Sequence, residues 1–434
     1  AVLQRAADEF YLRGQLDEAI AAYDKAAVAA VDSQDQDGQF LSMYRAARVV
    51  QQQDDPIAFR ERLKKITVEL PTHPRADDAH LVLIRELASA ARQDQKFLEE
   101  YGAALAIHLT RWPEENTADQ IRIWMGIWEG SRGNDENAIL AYRAVDSKSE
   151  FFAEAVDGLR GIWLTRLVDA PAEIDDALAF LATANGGEWA AETATQQSIA
   201  AWSGTQLSLR FADDEVETWQ PKLAVAWNNT DDARLKRRMM PTHVAALAQG
   251  GNVDEATAIV GAENDAEALL QVASQLAGLL ERLSDKDKSQ STGKVLSRAI
   301  ASLRKIPDAS SESTLDHWEA SAANASGDEA QAIAIYERLL AKTQADVGAR
   351  RQLARLLTRS KDIKKMEEAI KQWRIVAGGF RKGDESWLEA RYETAKLLKR
   401  LGKDEDAAKR VRLWLLTAKP KEPWKSRFEA LLKP

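Results

Sequence analysis

Apolar residues recur every three or four positions along most of the chain, and polar or charged residues fill the positions between them. This spacing matches the 3.6-residue turn of an α-helix and predicts helices with one buried face. Alternating runs of Val, Ile and Thr, which are typical of half-buried strands, do not occur. Glycine, proline and aspartate separate the helical stretches, as at Asp54–Pro56 and Gly250–Gly251. The pattern therefore predicts an all-α protein of roughly two dozen helices.

The first stretch of the chain predicts two antiparallel helices joined by a tight turn. Ala7 is small enough for the first helix to approach its partner, and Gly14 suits the left-handed conformation that ends a helix. Asp17 and Glu18 follow in the first turn of the next helix, where the helix dipole favours acidic side chains. Small and aromatic residues at helical spacing mark the buried face of this second helix: Ala19, Tyr23 and Ala26.

The same order of small residue, glycine, alanine, aromatic and small residue recurs along the chain. The clear copies are Gly126, Gly133, Ala138, Tyr142 and Val145; Ala320, Gly327, Ala332, Ile333 and Tyr336; and Ala395, Leu398, Gly402, Ala407, Val411 and Trp414. This spacing resembles the tetratricopeptide repeat, and the junction at Leu70–Ala79 is similar to that of bacterial envelope proteins of the family. The resemblance implies a right-handed superhelical α-solenoid of antiparallel helix pairs, which are buried by stacking on their neighbours.

The regularity of the repeats divides the chain into three parts. Residues 1–146 carry tetratricopeptide-like repeats, and residues 284–434 carry further ones with a basic face and a capping helix. Residues 147–283 fit only degenerate helical hairpins, with helices such as Glu188–Phe211 that exceed the family's usual length. In the capping helix, Trp424, Phe428 and Leu431 should pack inward, while Lys425, Arg427 and Glu429 should face water.

The composition excludes several classes of function. The chain has no cysteine, which rules out disulfides, thiolate nucleophiles and cysteine metal ligands. No apolar run reaches the roughly 18 residues that a membrane-spanning helix needs. The net charge of −9 disfavours nucleic acid as a partner. From the start at Ala1 we expect a processed form or a cut fragment, and from the missing cysteines an extracytoplasmic rather than cytoplasmic location.

Charge is distributed unevenly, because residues 350–434 hold 24 Lys and Arg against 12 Asp and Glu. In the tetratricopeptide family the first helix of each pair lines the inner wall, and this register places basic and polar side chains on one face. Since arginine binds carboxylates bidentately, the resemblance implies a groove for acidic or C-terminal carboxylate peptides. The candidates are His317, Asn324, Arg351, Arg355, Arg359, Tyr392, Lys396, Lys399 and Arg400. A solvated basic face, or ion pairs with acidic repeats of a neighbouring molecule, would explain the same residues.

No recognisable motif for catalysis or metal binding is present. The five histidines include no pair at the spacing of a helical zinc site, and His73 and His80 stand seven residues apart across a proline junction. Ser291–Lys294 lacks the first glycine and the preceding strand of a phosphate-binding loop. Acid pairs such as Asp54–Asp55 and Asp77–Asp78 fit helix capping better than paired-carboxylate catalysis. We therefore expect no catalytic residue, no metal and no cofactor.

The 13 tryptophans allow two interpretations. Flat aromatic faces stack on sugars and extended peptides, but tryptophans also pack between helices, as the register of Trp373 and Trp414 indicates. The first interpretation motivates a rival function, a glycan-binding or glycan-active helical-repeat protein, with Glu188 or Glu192 as its acid. The sequence favours instead a non-enzymatic scaffold that binds a protein or peptide segment in a concave groove. A structural subunit of a larger envelope or secretion assembly is a further alternative.

Overall fold

The computed structural model describes residues 2–184 and 189–433, and in these two ranges it contains helices and turns but no β-strand. The all-α fold predicted from the sequence is thereby confirmed. No helix among these residues is long and apolar enough to span a lipid bilayer.

The α-helices are α1 (Val2–Leu12), α2 (Leu16–Asp32), α3 (Gln36–Gln52), α4 (Pro56–Glu69), α5 (Ala76–Gln93), α6 (Leu98–Arg111), α7 (Ala118–Ser131), α8 (Asp135–Arg143), α9 (Phe152–Asp169), α10 (Ile174–Thr183), α11 (Ala194–Phe211), α12 (Val216–Asn229), α13 (Ala233–Gln249), α14 (Val253–Ala262), α15 (Ala266–Leu280), α16 (Lys286–Leu303), α17 (Glu312–Ala325), α18 (Glu329–Lys342), α19 (Val347–Arg359), α20 (Ile363–Gly378), α21 (Glu385–Arg400), α22 (Asp404–Ala418) and α23 (Trp424–Ala430). Short 3-10 helices at Gln95–Phe97 and Pro171–Glu173 lead into α6 and α10.

The chain forms two compact units, Ala1–Leu207 and Ser208–Pro434. Within each unit a helix packs mainly against the helices that precede and follow it in the chain. This packing in chain order is that of an α-solenoid, so the predicted fold class is confirmed. The boundary between the units falls inside α11, whereas the sequence divided the chain near residues 146 and 283 by repeat regularity. That three-part division stays a prediction.

One backbone arrangement recurs where paired helices are joined. The repeat glycines have φ between +72° and +85°, a left-handed region that costs other residues roughly 1–2 kcal/mol. The residue after each glycine donates its backbone N–H to a carbonyl five residues earlier, as from Gln15 to Phe10 at 3.0 Å and from Lys403 to Leu398 at 2.9 Å. This is a Schellman closure of the helix end. The repeat pattern predicted four of these glycines, Gly14, Gly133, Gly327 and Gly402, and the fifth, Gly251, was predicted as a separator between two helices.

Small residues occur where an aromatic ring lies against the backbone of a neighbouring helix. The ring of Tyr142 in α8 lies against Gly126 in α7 and Gly158 in α9, where a Cβ atom would come within 2.6 Å and 2.5 Å of ring carbons. Trp128 in α7 lies in the same way on Gly102 in α6, at 2.1 Å from such an atom. Because protein interiors are close-packed, these glycines determine how near the helices approach.

Helix starts follow the capping chemistry of the sequence. Asp55 accepts hydrogen bonds from the backbone N–H groups of Ile57 at 3.1 Å and Ala58 at 3.0 Å, so the capping interpretation of this acid is correct. The helix predicted over Glu188–Phe211 begins instead at Ala194. The reason is a capping box, in which the Gln196 backbone N–H donates to the Thr193 hydroxyl and the Gln196 side-chain oxygen Oε1 accepts the Thr193 backbone N–H.

The last helix covers the end of the second unit as predicted. Phe428 is fully buried, and its ring packs against Tyr392 and Trp414 at centroid distances of 5.9 and 6.1 Å. Lys425, Arg427 and Glu429 are exposed on the opposite side.

Candidate functional site

The predicted groove residues lie on three alternate helices of the second unit, α17, α19 and α21. Side-chain contacts join these helices directly. Arg359 of α19 donates to the Asn324 side-chain oxygen of α17 at 3.1 Å, and the Nε atom of Arg355 in α19 donates to Glu389 of α21 at 2.8 Å. These contacts place α19 beside both α17 and α21. We give the name inner basic face to the predicted residues on these three helices: His317, Asn324, Arg351, Arg355, Arg359, Tyr392, Lys396, Lys399 and Arg400.

Glu389 organises the centre of the inner basic face. Its carboxylate binds Arg355 through two nitrogens, at 2.8 and 2.6 Å, and its second oxygen accepts a hydrogen bond from Arg351. The Glu389 side chain is only 16% exposed, whereas that of Arg355 is 42% exposed. The carboxylate thus lies beneath the guanidinium groups and holds them in place. The sequence analysis missed this residue, although its position one turn before Glu393 on the same helix was a usable signal.

The remaining basic residues of the face also have partners within the chain. Lys396 lies 3.6 Å from Glu393 and its ammonium stands 5.9 Å from the centre of the Tyr392 ring. The Lys399 ammonium donates to the backbone carbonyl of Lys433 at 2.8 Å. Arg400 donates to the backbone carbonyls at the end of α19, so it closes that helix rather than facing a ligand.

His317 is likewise structural. Its Nε2 atom lies 2.7 Å from the carboxylate of Asp346, whose other oxygen accepts the backbone N–H of Ala349 and caps α19. Burial alone would raise the pKa of Asp346, but the hydrogen bonds from Ala349 and His317 outweigh burial and lower that pKa. This pair fixes the start of α19 relative to α17.

The inner basic face keeps an excess of positive charge despite these contacts. Glu389 is shared by two arginines, and Arg359, whose side chain is 57% exposed, lies 3.7 Å from the carboxylate of Glu329 and donates to Asn324. The Nε atom of Arg351 is buried and makes no hydrogen bond among the described residues. The outer edges of these guanidinium groups, together with the half-exposed Lys396, can donate hydrogen bonds to further carboxylates.

Most tryptophans are part of the core, which favours the packing interpretation of this residue type. Trp219 and Trp373 are 2% and 0% exposed, and the Trp373 indole donates to the Thr358 hydroxyl at 2.9 Å. Trp189 packs on Phe152 and Phe180, with ring centroids 4.3 and 4.6 Å away. Of the two acids suggested for a glycan-active site, Glu192 is exposed and Glu188 lies outside the described residues.

The histidines of the first unit form no metal site. Nowhere in residues 2–184 and 189–433 do three His, Cys, Asp or Glu side chains meet as metal ligands would. His73 stacks on Phe40 with ring centroids 4.2 Å apart and lies 3.0 Å from Asp37, away from His80. His80 is instead paired with His108, as their Nδ1 atoms lie 3.2 Å apart in the interior.

The histidine pair continues into a chain of buried hydrogen bonds. The Thr117 hydroxyl lies 2.9 Å from His108 Nε2 and 3.0 Å from the carboxylate of Asp77, which can only accept. Thr117 therefore donates to Asp77 and accepts from His108 Nε2, so His108 Nδ1 must accept the proton of His80 Nδ1. Burial lowers the pKa of His80 to about 3 and that of His108 to about 4, which keeps both imidazoles neutral.

A cleft of about 530 Å³ opens between α1, α2 and α3 in the first unit. Asp8 is its central acid, and it accepts hydrogen bonds from the Tyr23 hydroxyl at 2.5 Å and from Arg45 at 2.8 and 3.0 Å. Burial and the nearby Asp8 raise the pKa of Tyr23 to about 12. Asp8, Tyr23 and Arg45 thus satisfy one another, and the inner basic face is the stronger candidate site.

Comparisons with known proteins add no functional residue. No protein-family model and no curated protein matches the chain. A solved tetratricopeptide repeat protein from Parabacteroides merdae ATCC 43184 is 12% identical over 73% of this chain and 98% of its own, with a TM-score of 0.27. The structure of Naa15/Naa10 bound to HypK-THB is 12% identical over 99% of this chain and 77% of its own, with a TM-score of 0.28. TM-scores this low show no correspondence between the whole chains, so these two structures support no function for this chain.

Proposed function

We propose that the protein is a non-enzymatic scaffold whose inner basic face binds an acidic segment of a protein partner. The observation that supports this proposal is the direct side-chain contact of α19 with both α17 and α21, made by Arg351 and Arg355 with Glu389 and by Arg359 with Asn324. Packed helices hold these groups before any ligand arrives, so little ordering entropy is lost when a segment binds.

Glu389 gives the proposal its mechanism. In the free protein its carboxylate neutralises part of the charge of Arg351 and Arg355 and fixes their orientation. A carboxylate of the bound segment competes with Glu389 for the same guanidinium groups and uses the donors that Glu389 leaves free. Binding should therefore weaken as salt rises, because the arginines are partly exposed.

The test uses the full chain and a fluorescent oligoglutamate peptide, with an oligolysine peptide of equal length for comparison. The variant Arg359→Glu with Lys396→Glu reverses two half-exposed charges of the inner basic face. Lys364→Glu with Lys365→Glu, at the exposed start of α20, makes the same change in net charge elsewhere. Fluorescence anisotropy should show tight oligoglutamate binding that the first pair weakens by about tenfold or more and the second leaves nearly unchanged. Equal weakening by both pairs would mean that only net charge matters, and the proposed face would be rejected.

A further inference from the structure

A groove of about 500 Å³ opens between α2, α3 and α4 in the first unit. Its floor is apolar and includes the buried side chains of Ala27 and Met43. Val28 and Val31 of α2 also line the groove, and they are 63% and 52% exposed. Apolar surface that is open to water gains free energy when a partner covers it, so this groove is a candidate docking surface.

The rim of the groove is fixed by an ion pair and is acidic on balance. Two nitrogens of Arg62 in α4 donate to the two carboxylate oxygens of Asp24 in α2, at 2.8 and 2.9 Å, and so join the helices on either side. The rim carries three carboxylates against two cations: Asp24, Glu61 and Glu69 against Arg62 and Lys65. Glu61 and Glu69 stay exposed although each contacts a lysine of its own helix. An apolar helix face with basic flanks would therefore suit this groove.

The second unit carries a helix face of this kind on α22. Leu413 and Leu416 are 55% and 72% exposed. Lys409 and Arg412 are exposed on the same side, because positions i, i+3, i+4 and i+7 share one face of a helix. The opposite side of α22 holds the residues that bury it in the core: Ala407, Val411 and Trp414. Two leucines flanked by two basic side chains thus face water on a helix that is already packed.

The two units also differ in overall charge. Ala1–Leu207 holds 34 Asp and Glu against 20 Lys and Arg, whereas Ser208–Pro434 holds 34 against 39. The first unit of one copy therefore attracts the second unit of another copy, whereas two first units repel each other. A symmetric pairing of two α22 helices would bring Lys409 and Arg412 of both copies together. The charges thus favour the groove as the surface that α22 meets.

We propose that the groove of one copy binds α22 of a second copy, so that the chain associates head to tail. The two exposed leucines of α22 pack on the two exposed valines of the groove, and the basic side chains of α22 face the carboxylates on the rim. Because the two surfaces differ, a pair of copies keeps one surface of each kind free, and association continues to larger assemblies. Neither surface includes a residue of the inner basic face, so the contact does not depend on the binding of an acidic segment there.

Sedimentation velocity of the full chain measures this association. The mass of the unchanged chain should rise with protein concentration and pass beyond that of a dimer. An α22 variant, Leu413→Glu with Leu416→Glu, and a groove variant, Val28→Glu with Val31→Glu, should each weaken association by about tenfold or more. The matched control adds the same charge outside both surfaces, at side chains that are 65% and 57% exposed, and should change nothing: Leu140→Glu with Val168→Glu.

A mixture of the two variants identifies the contact. The α22 variant keeps the groove and the groove variant keeps α22, so an equal mixture should form a one-to-one dimer and nothing larger at concentrations where each variant alone is monomeric. The mixed dimer also shows that both variants are folded at the surface they keep.

Several outcomes would overturn the proposal. Dimers of the groove variant alone would mean that α22 pairs with itself, and equal weakening by the control pair would assign the effect to added charge. An unchanged chain that stays monomeric at every concentration, or a mixture without dimers, would reject the contact directly.

Discussion

The Nδ1 atoms of His80 and His108 lie 3.2 Å apart, and Thr117 connects this pair to Asp77. Two imidazoles this close cannot both carry a proton on the facing nitrogen. The hydrogen bonds require His80 to donate and His108 to accept, so His108 is neutral, and burial lowers the pKa of His80 so that it is neutral too in the folded state. This arrangement makes the stability of the first unit depend on pH.

Acid is expected to destabilise the protein through this pair well before carboxylates titrate. The folded pKa values, about 3 for His80 and about 4 for His108, lie below the value near 6.5 of an unfolded chain. The unfolded state therefore binds more protons below about pH 6.5, and stability that is fully present above this value is lost as pH falls towards the folded values. Thermal unfolding measured from about pH 7 to about pH 5 should show a falling Tm.

The variant His80→Asn distinguishes acid destabilisation by the histidine pair from that caused by other titrating groups. Asparagine keeps a donor near the position of Nδ1 but does not titrate, so the fall in Tm with pH should become smaller. Part of the slope should remain, because burial also lowers the pKa of His243 in the second unit to about 4. An unchanged slope in His80→Asn would show that the pair does not control acid stability.

The spacing between α7 and α8 should depend on the missing side chain of Gly126. In Gly126→Ala the new methyl group would stand 2.6 Å from the Tyr142 ring, so the helices must separate at a cost of about 1–3 kcal/mol. Gly161→Ala is the control, because its methyl group on α9 meets nothing within 4 Å and alanine favours helix by about 1 kcal/mol. Urea unfolding should therefore move in opposite directions for the two variants, and a shift of the same sign would contradict the packing argument.

The left-handed turn glycines should be needed for their backbone conformation and not for space. Gly327 has φ +85°, yet a Cβ atom there would meet no neighbour. Gly327→Ala is expected to cost about 1 kcal/mol from backbone strain, and Gly327→Asn less, because asparagine tolerates this region better. The midpoints of denaturant unfolding measure the stability of the unchanged chain and the two variants. Equal stability of all three proteins would show that backbone strain does not explain the glycine at position 327.

Removal of the Glu389 charge should strengthen binding to an acidic ligand. Glu389→Gln takes the competing carboxylate away from Arg351 and Arg355 while a hydrogen-bond acceptor stays in place. The affinity for the oligoglutamate peptide is expected to rise by about fivefold, or roughly 1 kcal/mol. Glu385→Gln, at an exposed position on the same helix, should have a much smaller effect. If both variants gained equally, the inner basic face would not be the binding surface.

Local features of the fold could be predicted from the sequence, and long-range pairings could not. The turn glycines and the shared core cluster of Ala7 and Tyr23 follow from residues close together in the chain, so repeat spacing alone identifies them. Glu389 and its arginines are separated by more than thirty residues, and only packing of α19 on α21 brings them together. The groove on the basic face therefore stays a prediction, and the neutralisation of its arginines by Glu389 was missed.

The sequence predicted too early a start for α11, and this error comes from a local feature rather than from a long-range pairing. Apolar periodicity continues upstream of Ala194, but the reciprocal hydrogen bonds of Thr193 and Gln196 begin the helix there. The signal was present as a threonine followed three residues later by glutamine. Side-chain capping determines where such a helix begins, and apolar periodicity alone does not locate that boundary.

The packing of each helix on its neighbours in the chain has a kinetic consequence. Most native contacts in each unit join residues that are close in sequence, so little loop entropy must be lost before a hairpin gains its contacts. Each hairpin closed by a Schellman turn can serve as a nucleus from which order spreads to the next. Such a chain is expected to fold quickly for its length and to fray one hairpin at a time, rather than to unfold in a single all-or-none step.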